Sequence, residues 1–434
     1  MPAAQPLSLF LPCAAQAEPW LADEVQRIWA ATPGLDAAAQ PVIEAQRGGV
    51  RVQWPGQGAD LGVWMDGVMR LNLHSRLAQR VLLTLASAPC RHEDDLYALA
   101  QAVPWEQWFS PAQTIKVEVT AHKSPLKSLN FAALRVKDAV ADRFRAQCGR
   151  RPSVDTQRPD VRLHLHLDAT HASLALDTSG QALFKRGWRE DKGDAPLKET
   201  LAATMLAACG WDPAEGVPLY DPCCGSGTIV IEAAQIACGI APGGQRRFAF
   251  EKLQPFQPAA WQRLKEQAKA QEHPPSAPVF GSDIAHRMVD FAQRNAARAG
   301  VAHALQLRGG DALQRMPPCP RPGVMLLNPP YGTRIGAAGQ AGRNWQQRHS
   351  AGFSARSARE FADGDDGAAF FQQLAAHWKS HYAGWVAWLL SPDMKLPGKL
   401  RLKETRRVPM HNGPIDCRLF RFDVQGRVET LSRP

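Results

Sequence analysis

The sequence predicts an α/β protein whose second half is a nucleotide-binding domain on a mostly parallel sheet, preceded by smaller α+β units. Three observations support this prediction. A short apolar strand leads through a glycine-rich turn into an apolar helix between residues 217 and 238, the order of a nucleotide-binding unit. Further short apolar runs follow this unit, separated by helical patterns. Several of these runs end in an acidic or amide residue, at the edge where open α/β sheets bind ligands.

The composition is that of a large folded protein. Of 434 residues, 45% are hydrophobic, which is enough to form the cores of two or three domains. The formal net charge of +10, from 51 basic and 41 acidic residues, favours a polyanionic partner. No apolar run approaches the roughly 18 residues of a membrane span, and no basic segment precedes an apolar core at the N-terminus. We therefore expect a cytoplasmic protein with no membrane partner.

The nine cysteines predict reduced thiols. Their number is odd and no two of them form a Cys-x-x-Cys pair, which argues against a disulfide framework and against a zinc site. We therefore expect no metal cofactor.

The first half mixes helical and strand patterns, which predicts small α+β units. Helical periodicity is found in residues 17–31, 71–86, 96–109 and 130–147. Strand alternation is found in residues 48–54, 114–119, 161–167 and 172–176. The helix over 130–147 is expected to be buried through Phe131, Leu134, Val136, Val140 and Phe144.

Basic residues are concentrated between 123 and 151, where eight lysines and arginines accompany two aspartates. This concentration predicts a surface that contacts phosphates. A second segment, 334–359, contains five arginines, no acid and two aromatic residues, so it suits either single-stranded RNA or a solvated insertion. The residues expected to bind RNA are Lys123, Lys127, Arg135, Lys137, Arg143, Arg186 and Arg189.

The second half predicts consecutive βα units. A linker at 181–195 precedes a helix that begins near Pro196. Strands are predicted at 217–220, 278–282, 304–307 and 323–327, and helices at 229–238 and 261–271. The strands end at Asp221 with its glycine turn, Asp283, Asp311 and Asn328.

A dinucleotide-binding fold is the competing explanation for the glycine-rich turn. Its fingerprint requires a third glycine, where this chain has Val230, and an acid about 20 residues later, where it has glutamine and arginines. Both departures count against a dinucleotide.

The stretch Asn-Pro-Pro-Tyr at 328–331 combines groups that suit a flat base carrying an exocyclic amine. The amide oxygen of Asn328 and the carbonyl of Pro329 accept the two amine hydrogens, while Tyr331 stacks on the ring. The alternative is that this stretch is only a rigid turn.

The four polar strand ends resemble the layout of a Rossmann-like class I methyltransferase with a seven-stranded sheet. The resemblance implies that Asp283 binds the ribose of S-adenosylmethionine, that Asp311 accepts from its adenine amine, and that Asp221 and the turn approach its methionine part. The residues implied to bind this cofactor are Asp221, Pro222, Gly225, Ser226, Gly227, Thr228, Asp283, Asp311 and Asn328. The alternative for each acid is that it only caps the following helix.

A closer resemblance covers nearly the whole chain. Residues 186–189, 196–200, 328–331 and 411–417 are similar to motifs of the bacterial THUMP-domain 23S ribosomal RNA guanine-N2 methyltransferases. This family implies a monomer that methylates a guanine exocyclic amine in large-subunit RNA, free or in an assembly intermediate. Its domains would be a ferredoxin-like unit at 1–65, a THUMP RNA-binding domain at 66–180, the linker, and a catalytic domain at 196–434.

The chain departs from the family pattern in two places: the loop at 334–367 is longer and more basic, and Cys223 stands where methionine is familiar. A second fused methyltransferase, found in some relatives, is not expected in 434 residues. Two other functions stay open, an adenine-N6 methyltransferase acting on DNA or RNA, and a non-catalytic RNA-binding protein that keeps the fold.

Overall fold

The computed structural model describes residues 7–30, 41–54, 61–193, 197–329 and 365–425. The chain forms two compact units. The first comprises Met1–Lys185 and Ala241–Ala270, and the second comprises Arg186–Ile240 and Gln271–Pro434. None of the helices in the described ranges is long and apolar enough to cross a membrane.

The first unit is built on one seven-stranded sheet. Its strands are β1 Ser8–Pro12, β2 Val42–Gln46, β3 Gly49–Gln53, β4 Leu82–Pro89, β5 Ile115–Ala121, β6 Val161–Leu167 and β7 His171–Asp177. Their order is β2-β3-β1-β4-β7-β6-β5, and only β5 and β6 pair in parallel. The helices are Glu18–Ala30, Leu61–His74, Glu93–Ala102, Leu129–Cys148 and Pro258–Ala270.

The predicted domain boundaries stay a prediction. Strands from both the 1–65 and the 66–180 segments join the same sheet. In addition, the predicted extra helix, observed at Pro258–Ala270, lies in the segment Ala241–Ala270, which belongs to the first unit although the segments before and after it belong to the second.

The prediction of a mostly helical segment at 71–86 is wrong in its second half, which forms strand β4. The preceding helix ends at His74, and the carboxylate of Glu24 accepts hydrogen bonds from the Ser75 hydroxyl (2.6 Å) and the Arg76 N–H (2.9 Å). A short apolar run is compatible with either a helix or a strand, and β4 is decided by its partners β1 and β7 on the two sides.

The helix Leu129–Cys148 confirms the predicted element but not all of its predicted buried face. Val136, Val140 and Phe144 are fully buried, whereas Phe131 and Leu134 are 48% and 49% exposed. The buried face of the helix therefore excludes Phe131 and Leu134.

The second unit confirms the mostly parallel seven-stranded sheet. Its strands are β8 Leu219–Asp221, β9 Val279–Asp283, β10 Leu305–Gly309, β11 Val324–Leu327, β12 Val386–Ser391, β13 Arg406–Asn412 and β14 Ile415–Asp423. Its helices are Glu199–Cys209, Thr228–Ala237, His286–Arg298, Asp365–His381 and Leu396–Leu400. The order is β10-β9-β8-β11-β12-β14-β13, with β8 to β12 parallel and β13 and β14 antiparallel.

This strand order determines where a ligand site forms. The chain runs outward from β8 to β10 on one side and returns to β11 on the other side of β8. A crevice opens at such a switch point, beyond the carboxyl ends of the strands.

The segment after Lys185, predicted as part of a linker, packs within the second unit. The Arg186 guanidinium and the Glu232 carboxylate form a buried ion pair at 3.0 Å, with side chains 1% and 0% exposed. Arg189 pairs with Glu199 at 2.8 Å and donates to the Thr228 hydroxyl at 2.7 Å. Both guanidinium groups are thus held by side chains of their own unit, and the contact of Arg186 and Arg189 with RNA stays a prediction.

We predict that Glu232→Gln lowers the free energy of unfolding by about 3–5 kcal/mol, because it leaves the Arg186 charge buried without its counter-ion. Urea denaturation monitored by circular dichroism measures this loss. The matched control is Glu404→Gln, whose pair with Arg407 has side chains 27% and 43% exposed. That variant should change stability by less than about 1 kcal/mol, and equal losses in the two variants would contradict the prediction.

Candidate active site at the carboxyl edge of the second sheet

The four polar strand ends predicted from the sequence lie along one edge of the second sheet. Asp221 ends β8 and Asp283 ends β9, while Asn328 directly follows β11. Asp311 follows β10 after one intervening glycine, and the last residue of β10, Gly309, pairs with Asp283. Because β8 to β11 are neighbouring parallel strands, the sheet brings these side chains to the switch-point crevice.

The glycine-rich turn after β8 is held by the end of β9. One carboxylate oxygen of Asp283 accepts from the Gly225 N–H at 2.9 Å, and the other accepts from the Ala285 N–H at 2.9 Å. The Cys224 N–H donates to the Ser282 carbonyl at 2.9 Å. The turn therefore has a fixed conformation before any ligand arrives.

Glycine is required within this turn. Gly225 and Gly227 have φ angles of +53° and +91°, in the left-handed region that favours glycine. A Cβ atom at Gly227 would lie 3.0 Å from the Cβ atom of Ala292. Gly227 thus lets the start of helix Thr228–Ala237 pack closely against helix His286–Arg298.

Asp221 is an almost completely buried carboxyl group, 1% exposed. Its burial raises its pKa to about 8, and the nearby Asp283 adds to that increase. Burial also raises the pKa of Asp283, against the effect of its two N–H donors. A cationic ligand beside these groups would favour their ionised forms, so the pair is suited to a positively charged molecule.

The three strand-end acids share one local hydrogen-bond pattern. Oδ1 of each accepts from the N–H two residues later, that of Cys223, Ala285 and Leu313 respectively, at 2.9–3.0 Å. These bonds do not make the acids helix caps, because the N-cap residues of helices Thr228–Ala237 and His286–Arg298 are Gly227 and Ala285. Asp283 also makes a contact between strands, because its Oδ2 atom accepts from the Gly225 N–H in the turn after β8.

Asn328 presents an unused acceptor in the crevice. Its Oδ1 atom is buried and has no hydrogen-bond partner among the described residues. A buried acceptor without a donor is costly, which makes a ligand N–H the natural complement. Pro329 is buried beside it, whereas Pro330 and Tyr331 lie outside the described residues.

Thr228 and Ser226, both predicted to bind the cofactor, form hydrogen bonds with neighbouring side chains. The Thr228 hydroxyl receives the hydrogen bond from Arg189. The Ser226 carbonyl accepts from the side-chain amide of Asn295 at 3.0 Å, and the same amide donates to the Asp191 carbonyl at 2.8 Å. Sequence reasoning missed Asn295, because a single asparagine within an amphipathic helix carries no local signal of a tertiary contact.

Cys223 and Cys224 are not activated thiols. Burial and the neighbouring aspartates raise the pKa of both well above its ordinary value. Both are therefore neutral at physiological pH. Within the described ranges, no group of three or more His, Cys, Asp or Glu side chains is arranged to hold a metal ion.

The basic residues predicted to bind RNA in the first unit are partly neutralised. Arg135 pairs with Asp94, Lys137 with Asp138, and Arg143 with Glu106, at 2.6–2.7 Å. Lys123 and Lys127 are exposed and form no ion pair with another described residue. Their contact with RNA stays a prediction.

Family models match both halves of the chain. Residues 186–351 match the RMKL-like methyltransferase domain, and residues 90–177 match the THUMP domain. A protein of Synechocystis sp. named as a candidate RNA methyltransferase is 36% identical over 357 residues, covering 82% of this chain and 85% of that protein.

The ribosomal RNA large subunit methyltransferase K/L of Pseudomonas aeruginosa is 35% identical over 428 residues, covering 96% of this chain and 53% of that protein. The chain thus spans about half the length of the K/L relatives that it matches. Among solved structures, SMU.472, a candidate methyltransferase in complex with SAH, has a TM-score of 0.77 at 23% identity over 97% of this chain and 99% of that chain. At this identity the likeness concerns the fold.

We predict that Asp221 makes the protein less stable as pH rises from about 4 to about 8. Its pKa is raised in the folded state, to about 8, so the folded protein holds a proton that the unfolded chain has already lost. Chemical denaturation of wild type and Asp221→Asn at several pH values from 5 to 8 measures this effect. The stability of wild type relative to the variant should fall across that range, and a constant difference would show that the Asp221 carboxyl is ionised in the folded protein.

Proposed function

Because the chain belongs to the RMKL-like family of methyltransferases that carry a THUMP domain, we propose that it methylates the exocyclic N2 amine of a guanine in 23S ribosomal RNA. The methyl donor in this proposal is S-adenosylmethionine. The observation that carries the proposal is the buried Oδ1 atom of Asn328, which has no partner among the described residues and follows the strand next to β8, at the same sheet edge as the glycine-rich turn and the acids. The choice of ribosomal RNA is supported by the names of the K/L relatives.

The residues of the crevice fit S-adenosylmethionine. The turn at 225–227 is free of large side chains, which accommodates the methionine part, and the carboxyls of Asp221 and Asp283 suit its positive charges. Asp283 would hold the ribose hydroxyls, and Asp311 would accept from the adenine amine. When bound, the cofactor supplies a methyl group on a positively charged sulfur.

The chain's own contribution to the reaction is mainly positioning. The lone pair of a guanine N2 amine is delocalised into the ring, so the amine is a weak nucleophile and must be held in line with the methyl group. Asn328 Oδ1 and the Pro329 carbonyl accept its two hydrogens, which fixes that line and stabilises the positive charge that develops on nitrogen. Tyr331, which enters this proposal from the sequence alone, stacks on the base.

An adenine N6 amine would fit the same pair of acceptors, so the base is the least constrained part of the proposal. The THUMP match over residues 90–177 favours RNA over DNA. We further propose that the protein acts in the cytoplasm as a monomer, on large-subunit RNA that is free or within an assembly intermediate.

Mapping of methylated bases in ribosomal RNA from a strain that lacks this gene tests the function directly. One N2-methylguanine should disappear from 23S RNA and return when the gene is restored. Loss of an N6-methyladenine instead would assign the alternative, and an unchanged methylation map would reject ribosomal RNA as the substrate.

We predict that Asn328→Ala leaves affinity for S-adenosylmethionine nearly unchanged but lowers the rate of methyl transfer by about 100- to 1000-fold, because it removes a preorganised acceptor that acts on the amine. Calorimetry gives the affinity and single-turnover transfer from labelled cofactor gives the rate.

The contrasting variant is Asp283→Ala, which removes both the proposed ribose acceptor and the acceptor of the Gly225 N–H. It should weaken cofactor affinity by about 1–3 kcal/mol.

The proposed stacking of Tyr331 on the base is tested by two substitutions. Tyr331→Phe keeps the ring and should bind the RNA substrate nearly as wild type does, whereas Tyr331→Ala should weaken substrate binding. Near-normal transfer by Asn328→Ala would eliminate the proposed role of its amide.

A further inference from the structure

The helix Leu129–Cys148 exposes three large apolar side chains at its start. Leu129, Phe131 and Leu134 are 39%, 48% and 49% exposed. Phe131 and Leu134 are three positions apart and therefore neighbours on the helix surface. We call Phe131 and Leu134 the apolar ledge, and we leave out Leu129, which is two positions before Phe131 and so does not face it. Exposed apolar residues that lie together on a soluble protein mark an interaction surface.

The ledge is held in place by its surroundings. The Ser128 hydroxyl accepts from the Phe131 N–H at 3.2 Å and so caps the helix. In the loop before it, the buried Leu126 donates its N–H to the Ser124 hydroxyl at 3.1 Å, and the His122 N–H donates to the Leu167 carbonyl at 2.8 Å. The helix continues into the core through Val136. Phe131 is thus presented from a fixed backbone.

The charges beside the ledge are positive and available. Lys123 and Lys127 lie in the loop that leads into the helix, and both are exposed without an ion pair to another described residue. The next basic residue along the helix, Arg135, is already engaged with Asp94 at 2.6 Å and lies over the ring of Tyr97 at 4.8 Å. Lys123 and Lys127 therefore supply positive charge without a described partner at the end of the helix where Phe131 is exposed.

We propose that Phe131 stacks on an unpaired base of the RNA substrate while Lys123 and Lys127 contact the adjoining phosphates. The inference rests on the proposed function in taking RNA as the partner, and it specifies single-stranded RNA at this surface. An exposed aromatic ring next to cationic side chains is the combination that binds single strands, because every base has a face that stacks. A regular duplex keeps its bases stacked on one another and offers only its backbone and groove edges.

The test compares two RNA probes with the full-length protein. One is a hairpin whose unpaired loop carries the fluorescent base 2-aminopurine, and the other is a fully paired duplex with the same number of phosphates. Phe131→Ala should weaken binding of the hairpin by about 5- to 150-fold and remove the fluorescence quenching that stacking causes. Binding of the duplex should be unchanged.

Two further variants make the test specific for stacking. Phe131→Tyr keeps an aromatic ring and should bind the hairpin as wild type does, whereas Phe131→Leu keeps only apolar surface and should behave like Phe131→Ala. Val154→Ala is the matched control, because Val154 is 51% exposed in the same unit and away from the ledge. It should bind both probes normally.

Three results would overturn the inference. Unchanged hairpin binding by Phe131→Ala would exclude stacking while leaving the proposed function intact. Full activity of Phe131→Leu in hairpin binding would assign the ledge to apolar contact instead. Failure of the wild-type protein to bind either probe at low salt would count against RNA as the partner and so against the proposed function as well.

Discussion

The hydrogen bond from the Gly225 N–H to the Asp283 carboxylate, 2.9 Å long, is the contact on which the crevice of the second unit depends. It joins the turn after β8 to the end of β9, although 58 residues separate its two partners. The parallel pairing of the strands puts the two groups within reach, and the left-handed conformation of Gly225 turns its N–H toward the carboxylate. The same carboxylate lies at the carboxyl end of β9, the neighbour of β8, at the sheet edge where open α/β sheets bind ligands.

Buried ionisable groups surround this turn, and their arrangement explains how the unit tolerates them. Glu232 and Glu199 are each paired with an arginine from the 186–189 segment, which offsets the cost of removing their charges from water. Asp221 forms no ion pair with another described residue, and burial raises its pKa to about 8, so that it holds a proton at neutral pH. The paired carboxylates stabilise the scaffold, whereas the unpaired carboxyl is available to respond to a cationic ligand.

The first unit distributes its charges differently. Most of the basic side chains along the helix Leu129–Cys148 have acidic partners of their own, so the local excess of positive charge is smaller than the count of residues suggests. Lys123 and Lys127, which form no ion pair with another described residue, precede the helix near its exposed apolar side chains. The helix Leu129–Cys148 therefore has a buried face that packs in the core and an exposed first turn that is suited to binding RNA.

The sequence by itself determined the elements whose signals are local. The glycine-rich turn, the short apolar strands and the acid or amide at each strand end are encoded by neighbouring residues, and parallel pairing then brings all four ends to one edge. Tertiary structure decided what depends on distant partners. Strand β4 exists because β1 and β7 flank it, Arg186 is buried because Glu232 lies opposite, and Phe131 is exposed because the sheet packs on another face of its helix. Periodicity shows that a segment has an apolar side, but only the neighbours brought by the rest of the chain determine which side chains that packing covers.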